Sequence, residues 1–423
     1  MHNRKLAALV ATAAIVAAAC GSGATSAPSD AGTIPPTGPA SEPPVATAGP
    51  KIIDAIGPGE GELNLIVWPG YAESGANVPE YDWVHPFETK TGCKVKTVKE
   101  AGSSDEMVTL MRQGGGSLYD GLSASGDATV RLIKEGRIAA VDVEKLFPEW
   151  QNMWSGMKSP VHNTIDGIHY GVSHGWGANL LMWNTTVVTT APDSWSVVFD
   201  KNSPYAGKVT AYDYAIYIAD AALYLSKSQP DLGITDPYEL TQAQFDASVA
   251  LLKDQRKIIG KYWGTYGDNI TDYENGTSVL GTTWPYQIGA LLAEDPPIPV
   301  QAVLPKEGAT GWADTWMMST EAAHPNCMLM WMDWMIQPST QQQVAEYFGE
   351  APANLKACDL IDSKPGPYGY AGFCTDQHAA DDAYAAAVKF WKTPLADCGD
   401  DRGTTCIDFS EWIKAWDEIK AAT

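Results

Sequence analysis

Residues 311–316 read GWADTW and place two indole rings and one carboxylate at alternating positions: Trp312, Asp314 and Trp316. In an extended strand, side chains two residues apart point to the same face. One interpretation is half of a cage for an organic cation, because a protonated amine is attracted to an indole face and donates hydrogen bonds to a carboxylate. The other is a tryptophan-rich core strand in which Asp314 caps a neighbouring group, and spacing alone favours this second interpretation.

Further indole, hydroxyl and acidic side chains follow other predicted strands. A single tryptophan is more often core than ligand platform, but this set repeats at strand ends, where α/β folds bind their ligands. Sugars also stack on tryptophan and donate hydrogen bonds to aspartate, so a tryptophan with one aspartate does not distinguish a sugar from an amine. Two opposed acids in one cleft would favour a ligand with two positive charges. The candidates are Trp68 and Tyr71 in VWPGYAE, Ser125 and Asp127 in ASGDA, Trp176 in a glycine-rich bend, Asp213 after GKVTAY, and Trp284 after LGTT.

Motifs of the common enzyme classes are missing from the sequence. GLSAS at 121–125 lacks the final glycine of a G-x-S-x-G elbow, and no phosphate-binding loop, G-x-G-x-x-G turn or H-E-x-x-H pair occurs. His174, near the bend, could serve as a base, but a hydrogen-bonded structural histidine is the better interpretation. We therefore expect a binding protein with no catalytic residue, no metal site and no cofactor.

Strand and helix patterns alternate along the chain. The apolar run LNLIVW (63–68) predicts a strand buried on both faces. A second strand–helix series starts near the bend at 167–184, and the chain returns near residue 311. This alternation predicts an α/β fold of two lobes with a ligand cleft between them. Residues 51–175 with 312–350 form the predicted first lobe, and residues 176–311 with 351–423 the second.

The N-terminus predicts export. Residues 1–19 combine a short basic start with an apolar run too short to span a bilayer, as in a signal peptide. Ala-Ala-Ala-Cys at 17–20 is similar to a lipobox, which makes Cys20 the predicted lipidation site; an ordinary signal peptide cut after Ala-x-Ala is the alternative. Residues 20–50 are rich in Pro, Gly, Ser, Thr and Ala, so they predict a flexible, lipid-anchored linker.

The net charge limits the possible partners. The formal charge of −23 becomes −25 once residues 1–19, with Arg4 and Lys5, are removed. Nucleic acid is therefore an unsuitable partner, because phosphate neutralisation needs clustered basic residues.

Cysteine usage predicts disulfides, which form in the oxidising compartment of an exported chain. The six cysteines other than Cys20 permit fifteen pairings. Short loops favour Cys358–Cys374 and Cys398–Cys406, which leaves Cys93 with Cys327 by elimination.

Over residues 55–423 the chain resembles the extracytoplasmic substrate-binding proteins of polyamine (spermidine/putrescine) ABC importers. This resemblance implies an α/β, two-lobed periplasmic-binding-protein fold, type II-like, that closes on its ligand. It also implies a monomer with no cofactor, a permease and an ATPase as partners, and contact with the membrane through the lipid anchor alone. The segments that carry it are VWPGYAESG, GCKV, SSDEMV, SASGDATVRLI, WGANLLMWNT, SWSVVF, YIADAALYL, DPYEL, PKEGATGWADT, AAHPNC and FWKTP.

The resemblance also implies roles for single residues. The matched positions are Trp68 and Tyr71 (W-x-x-Y), Ser125 after its strand, Asp213 as an amine-gripping acid, Trp284 as an aromatic wall, and Trp312 with Asp314 (W-x-D). Three positions depart from spermidine binders: Asp127 and Glu350 stand where those have Tyr, and Ile216 where they have Glu. The acids are then relocated, or the ligand differs in length. Asp127 and Glu350 join the predicted ligand-binding residues; no motif includes Trp316, which is assigned to the core.

The sequence thus predicts a lipid-anchored protein on the outer face of the cell membrane, or in the periplasm. It captures a putrescine- or spermidine-like polyamine in an aromatic and acidic cleft and delivers it to an ABC importer. Two alternatives stay open. One is a secreted enzyme of the polyhydroxybutyrate synthase type, an activity ascribed to some members of the resembling branch, although its nucleophile motif is absent here. The other is a binding protein for another amine or a sugar.

Overall fold

The computed structural model describes residues 49–422, and for residues 115 and 116 it describes the backbone only. Strands and helices alternate through this range. The predicted signal peptide, the lipidation site Cys20 and the linker up to residue 48 lie outside the described residues. The strands are β1 (Ile52–Ile53), β2 (Glu62–Val67), β3 (Lys94–Glu100), β4 (Gly121–Ala124), β5 (Ala140–Val141), β6 (Thr164–Ile165), β7 (Ile168–His169), β8 (Val172–Ala178), β9 (Leu180–Asn184), β10 (Val209–Tyr212), β11 (Ile259–Trp263), β12 (Leu280–Thr283), β13 (Val300–Val303), β14 (Ala309–Met318), β15 (Ala351–Pro352) and β16 (Val388–Phe390).

The helices cover the faces of the sheets formed by these strands. They are α1 (Val84–Thr91), α2 (Ser104–Leu110), α3 (Gly116–Leu118), α4 (Gly126–Lys134), α5 (Val143–Leu146), α6 (Ser155–Lys158), α7 (Ser196–Phe199), α8 (Ile218–Ser228), α9 (Gln242–Gln255), α10 (Tyr266–Glu274), α11 (Pro285–Ala293), α12 (Pro325–Met335), α13 (Pro338–Phe348), α14 (Lys356–Ser363), α15 (Phe373–Asp376), α16 (Asp382–Ala386) and α17 (Phe409–Ala421). No helix within residues 49–422 is both long enough and apolar enough to cross a membrane.

The larger sheet has seven strands in the order β15-β8-β14-β4-β2-β3, with β16 paired to the start of β14. Strand β2 lies parallel to β3 and β4, while β14 runs antiparallel to β4 and β8. Leu63, Leu65 and Val67 of β2 pack into one core cluster and Ile66 into another, on the opposite face. The apolar run is therefore buried on both faces, as predicted.

The smaller sheet has five strands in the order β11-β10-β12-β9-β13. Strand β10 lies parallel to β11 and β12, and β9 runs antiparallel to β12 and β13. Helices α8, α9 and α17 pack against it, and the C-terminal helix α17 contributes Phe409, Trp412 and Trp416 to the core of this sheet.

The chain passes between the two sheets at neighbouring points. Asn179 joins β8 of the larger sheet to β9 of the smaller one, and residues 304–308 join β13 to β14. The Asn179 N–H donates to the Thr310 carbonyl at 2.9 Å, and the Trp391 N–H, just after β16, donates to the Gly311 carbonyl at 2.7 Å. The predicted fold of two α/β lobes joined by more than one crossing is confirmed.

The lobe boundaries given above stay a prediction, but one segment differs from them. Strands β15 and β16 fall in the predicted second lobe, yet they pair with β8 and β14 of the larger sheet. Ala353 and Ala379 also pack into the core of that sheet. The sequence pattern of residues 351–423 does not reveal that residues 351–390 return to the larger sheet before α17 reaches the smaller one.

The three predicted cysteine pairs are all present as disulfides: Cys93–Cys327, Cys358–Cys374 and Cys398–Cys406. The first joins the residue before β3 to helix α12, and both of its cysteines are fully buried. The other two close short loops in the C-terminal region, as predicted.

Candidate functional site

A buried carboxyl group, that of Asp314 in β14, lies at the centre of the candidate site. The Tyr71 hydroxyl donates to its Oδ2 at 2.5 Å, and the Ser125 hydroxyl donates to its Oδ1. The side chain is nearly fully buried, and this burial raises the pKa of Asp314 to about 6. A carboxylate offers about four acceptor positions, so roughly two remain for further N–H donors.

Strand ends bring these three groups together. Tyr71 follows β2 and Ser125 follows β4, which is the parallel neighbour of β2. Parallel neighbours end at the same edge of a sheet, where α/β proteins bind their ligands. Strand β14 runs antiparallel to β4, with Thr315 opposite Ala124, so Asp314 reaches the same edge from the other direction.

A β-bulge in β8 places His174 beside this group. Two residues of β8, His174 and Gly175, stand opposite one residue of β14, Asp314. Bulges of this kind re-aim side chains next to functional sites. The His174 ring stacks on Tyr71, with ring centroids 4.0 Å apart and planes 14° apart. Its Nδ1 accepts a 2.9 Å hydrogen bond from Trp316 Nε1.

A second buried acid, Glu350, lies next to the His174 ring, with its Oε1 3.7 Å from His174 Nε2. Among residues 49–422, neither carboxyl oxygen of Glu350 has a hydrogen-bond partner. Burial and the charge of Asp314 raise the pKa of Glu350 well above its usual range. Burial also lowers the pKa of His174 to about 3, so the ring is neutral and the contact is not an ion pair.

Asp127, in the first turn of α4, is a third buried acid. The Ser104 hydroxyl donates to its Oδ1 at 2.8 Å. Burial raises the pKa of Asp127 to about 7, and the charge of Asp314 adds to this rise. Asp127, Asp314 and Glu350 therefore influence one another through Asp314, and none forms an ion pair with a lysine or arginine of the described chain.

Three of the predicted tryptophans, Trp68, Trp284 and Trp312, are half-buried. Trp284, at the start of α11, packs edge-on against Trp263 with centroids 4.8 Å apart, and its Nε1 donates to Asn179 Oδ1 at 2.9 Å. Trp312 covers Gly177, where a Cβ would lie 2.7 Å from the indole. The Nε1 atoms of Trp68 and Trp312 are buried without an acceptor in the part of the chain that the structure describes.

Aromatic contacts continue from the larger sheet to the smaller one. Phe348, the last residue of α13, lies 4.9 Å from Tyr71 between ring centroids. Tyr286 of α11 lies 6.4 Å from Phe348, and Tyr266 lies 5.2 Å from Tyr286. Because α11 follows a strand of the smaller sheet, this row of rings joins the two sides of the cleft.

One hydroxyl also joins the two sides. The Tyr214 hydroxyl lies 3.0 Å from the carbonyl oxygen of Gly102, after β3 of the larger sheet. It lies 2.7 Å from the carbonyl oxygen of Gly264, after β11 of the smaller sheet. The two sheets are therefore in contact through this hydroxyl.

Two predicted site residues, Trp176 and Asp213, make their side-chain contacts with groups other than Asp314 and Glu350. Trp176 is a core residue of the larger sheet, stacked on Trp154 at 5.2 Å and in edge contact with Phe390. The Asp213 carboxylate accepts a 2.7 Å hydrogen bond from Trp416 and lies 3.0 Å from Lys420 Nζ. Both of these partners belong to α17, so the Asp213 carboxylate is held by the C-terminal helix.

Sequence reasoning missed three residues of the site: His174, Phe348 and Tyr286. The sequence pattern favours a structural role for His174 and gives no signal for the two rings. The only local hint was Gly175, since a glycine inside a strand often marks a bulge. No group of three or more metal-ligating side chains within residues 49–422 is arranged to hold a metal ion.

Known proteins resemble this chain in sequence and in fold. Residues 82–367 match the family model described as bacterial extracellular solute-binding protein. A putrescine/agmatine-binding protein of Pseudomonas aeruginosa is 24% identical over 304 residues, covering 67% of this chain and 79% of that protein. A spermidine/putrescine-binding periplasmic protein of Escherichia coli is 25% identical over 312 residues, covering 71% and 84%. The solved structure of the spermidine/putrescine ABC transporter substrate-binding protein of Streptococcus pneumoniae superimposes with a TM-score of 0.63 at 16% identity, covering 85% of this chain and 99% of that one.

Proposed function

Because the chain belongs to the bacterial extracellular solute-binding protein family, we propose that its solute is a short polyamine of putrescine-like length, captured for delivery to an ABC importer. The membership confirms the expectation of a binding protein rather than an enzyme, so synthesis of a hydroxyacyl polymer is not proposed. The names of the relatives from Pseudomonas aeruginosa and Escherichia coli support an amine ligand.

The observation that carries the proposal is the pair of buried carboxyl groups of Asp314 and Glu350. Burying a carboxylate without a positive partner is costly, and no lysine or arginine among the described residues pairs with either. A diammonium ligand supplies the missing positive charge. Tyr71 and Ser125 hold the Asp314 carboxyl group in place, which leaves its other acceptor positions for an ammonium.

The aromatic rings fit the apolar part of such a ligand. Methylene groups pack against indole and phenol faces, and an ammonium over an indole gains about 0.5–2 kcal/mol. In this proposal Trp68, Trp284 and Trp312 line the ligand, with Tyr71 and Phe348 at the Asp314 end. The buried Nε1 of Trp68 and that of Trp312, which have no acceptor within residues 49–422, can donate to an acceptor on a ligand or a water.

The distribution of acids supports a short ligand. Glu350 and Asp127 lie on the same side of the cleft as Asp314, whereas Asp213 already binds two groups of α17 and Ile216 is fully buried. We propose Asp314 and Glu350 as the two ammonium anchors, with Asp127 adding negative potential. A role for Asp213 in gripping the ligand stays a prediction that a substitution can test.

The N-terminal sequence supports the cellular setting. We propose that Cys20 is lipidated and that residues 20–50 tether a monomer to the outer face of the membrane, within reach of a permease and its ATPase. Metabolic labelling with a fatty acid analogue tests the anchor, since Cys20→Ala should abolish incorporation. An equal signal in that variant would exclude lipidation at Cys20.

Isothermal titration calorimetry of the purified protein tests the ligand. Putrescine, spermidine, γ-aminobutyrate and a panel of neutral sugars are compared under the same conditions. We expect putrescine to bind most tightly, because both acids then meet an ammonium. Binding of a sugar but of no amine would refute the proposal.

A further inference from the structure

The tautomer of His174 follows from its contacts. An indole Nε1–H can only donate a hydrogen bond, and Trp316 Nε1 lies 2.9 Å from His174 Nδ1. His174 Nδ1 must therefore carry no proton. Because burial keeps the imidazole neutral, with its pKa lowered to about 3, the single proton sits on Nε2. His174 thus presents an N–H donor on the side that faces Glu350.

The Glu350 carboxyl group lies just beyond hydrogen-bond distance of the His174 Nε2–H. The distance of 3.7 Å between His174 Nε2 and Glu350 Oε1 is longer than a hydrogen bond, which spans about 2.7–3.2 Å. A shift of roughly 1 Å would close the gap, and neither atom has another partner among residues 49–422. Gly175 leaves the necessary space, since a Cβ there would lie 2.0 Å from Glu350 Oε1.

We propose that His174 is a positioning residue for the Glu350 carboxylate, and that Trp316 and the bulge of β8 set its tautomer and direction. This inference rests on the proposed function, in which Glu350 is the second ammonium anchor. When the ligand's ammonium brings Glu350 into its charged form, the His174 Nε2–H donates to one carboxylate oxygen and leaves the other to the ligand. Tyr71, stacked on His174 and bonded to Asp314, connects the two anchors.

The alternative is that His174 and Trp316 are ordinary core residues. A second buried tryptophan, Trp331, provides a matched control that distinguishes the two explanations. Trp331 of α12 is fully buried like Trp316, and their ring centroids lie 5.5 Å apart. Trp331 Nε1 has no acceptor in the described part of the chain. Trp316→Phe and Trp331→Phe therefore remove similar ring area from one core, but only the first removes the hydrogen bond to His174.

The first measurement needs no ligand. Imidazole ¹⁵N NMR of the full exported chain, with the His174 resonances identified by their loss in His174→Gln, reports the tautomer. We expect a neutral ring protonated at Nε2 between pH 6 and 8, a range that brackets neutrality around the ordinary histidine pKa. A ring protonated at Nδ1, or an imidazolium, would overturn the inference whatever the ligand proves to be.

The second measurement is putrescine affinity by calorimetry. We expect Trp316→Phe to weaken binding about tenfold, the order of one hydrogen bond to a charged group, and Trp331→Phe to change it less than about twofold. Gly175→Ala should weaken binding by displacing Glu350. His174→Gln, which keeps a donor near the Nε2 position, should bind more tightly than His174→Phe, which does not.

The outcomes separate this inference from the proposed function. Equal effects of the two tryptophan substitutions would show that Trp316 acts only through packing, and His174 would lose its positioning role. If the wild-type protein binds none of the amines, the proposed function fails and with it the role of Glu350 as an anchor. A tighter complex in His174→Phe would likewise overturn the inference.

Discussion

Replacing Asp314 with asparagine should weaken ligand binding and, at the same time, stabilise the ligand-free protein at alkaline pH. The carboxyl group is buried, and its pKa rises to about 6 from an ordinary value of 3.8. A difference of about 2 pKa units corresponds to roughly 3 kcal/mol, since each unit is worth about 1.4 kcal/mol. This is the penalty for keeping Asp314 ionised inside the folded, ligand-free chain.

The sign of the effect depends on pH. Below about pH 4, Asp314 is protonated in both the folded and the unfolded chain, so ionisation does not affect stability. Between about pH 4 and 6 the unfolded chain loses its proton first, so the folded state loses stability as the pH rises. Above about pH 6 the penalty is fully present. Asp314→Asn removes it, so we expect the variant to gain roughly 2–3 kcal/mol at pH 8 relative to its difference from wild type at pH 4.

Binding should move in the opposite direction. A hydrogen bond to a charged group contributes about 1.5–3 kcal/mol, so the loss of the Asp314 charge should weaken putrescine binding by about tenfold or more. Asp220→Asn is the matched control. Asp220 is a buried acid of α8 whose pKa burial raises to about 7, and it lies outside the proposed ligand contacts. Asp220→Asn should show a pH-dependent gain in stability of the same sign, of roughly 4 kcal/mol at most for its shift of about 3 pKa units, with putrescine affinity little changed.

Urea unfolding at pH 4 and pH 8, followed by tryptophan fluorescence, measures the stability difference, and calorimetry measures the affinity. Equal stability differences between Asp314→Asn and wild type at the two pH values would refute the account of Asp314 as a desolvated acid. Unchanged putrescine affinity would remove Asp314 from the ligand contacts, even if the stability result agreed.

The remaining predictions concern groups around the site. Asn179→Ala removes the acceptor of the Trp284 Nε1–H. We expect putrescine affinity, measured by calorimetry, to fall roughly fivefold, the order of one hydrogen bond. An unchanged affinity would mean that this hydrogen bond does not position the Trp284 ring for the ligand. Asp213→Asn should lower the free energy of unfolding by about 1 kcal/mol, because it weakens two contacts with α17, and a loss of affinity instead would restore its predicted ligand role. Replacing Cys93 and Cys327 with serine should cost about 2–5 kcal/mol in urea unfolding, since they link positions 234 residues apart; an unchanged midpoint would contradict this.

Features that depend on neighbouring residues could be predicted from the sequence. Strand β2 follows from an uninterrupted apolar run, and the helix after Ser103 begins where the Ser103 side chain accepts from the Glu106 N–H. Helix α1 ends at Gly92, which adopts the left-handed conformation that glycine favours. The strand ends then indicate where Tyr71 and Ser125 lie.

Features that depend on distant residues could not be predicted. Asp213 stands at a strand end as predicted, but the direction of its carboxylate is set by α17, about two hundred positions later. His174 gains its place from a bulge and from Trp316, 142 positions away. A strand pattern with period two does not reveal a bulge, so neither the His174 contact nor its approach to Glu350 follows from the pattern.

The Tyr214 hydroxyl adds little to the free-energy cost of separating the two sheets. It has one hydrogen and two carbonyl oxygens within reach, so it donates to only one of them at a time. When the sheets move apart, the hydrogen can stay with Gly264 while water satisfies the Gly102 carbonyl, and the hydroxyl loses no hydrogen bond. Opening and closing then differ by little at this contact, so a ligand whose affinities for the two forms differ can shift their populations without working against this hydrogen bond. Tyr214→Phe should therefore change the fraction of open molecules, and with it the apparent association rate, only slightly.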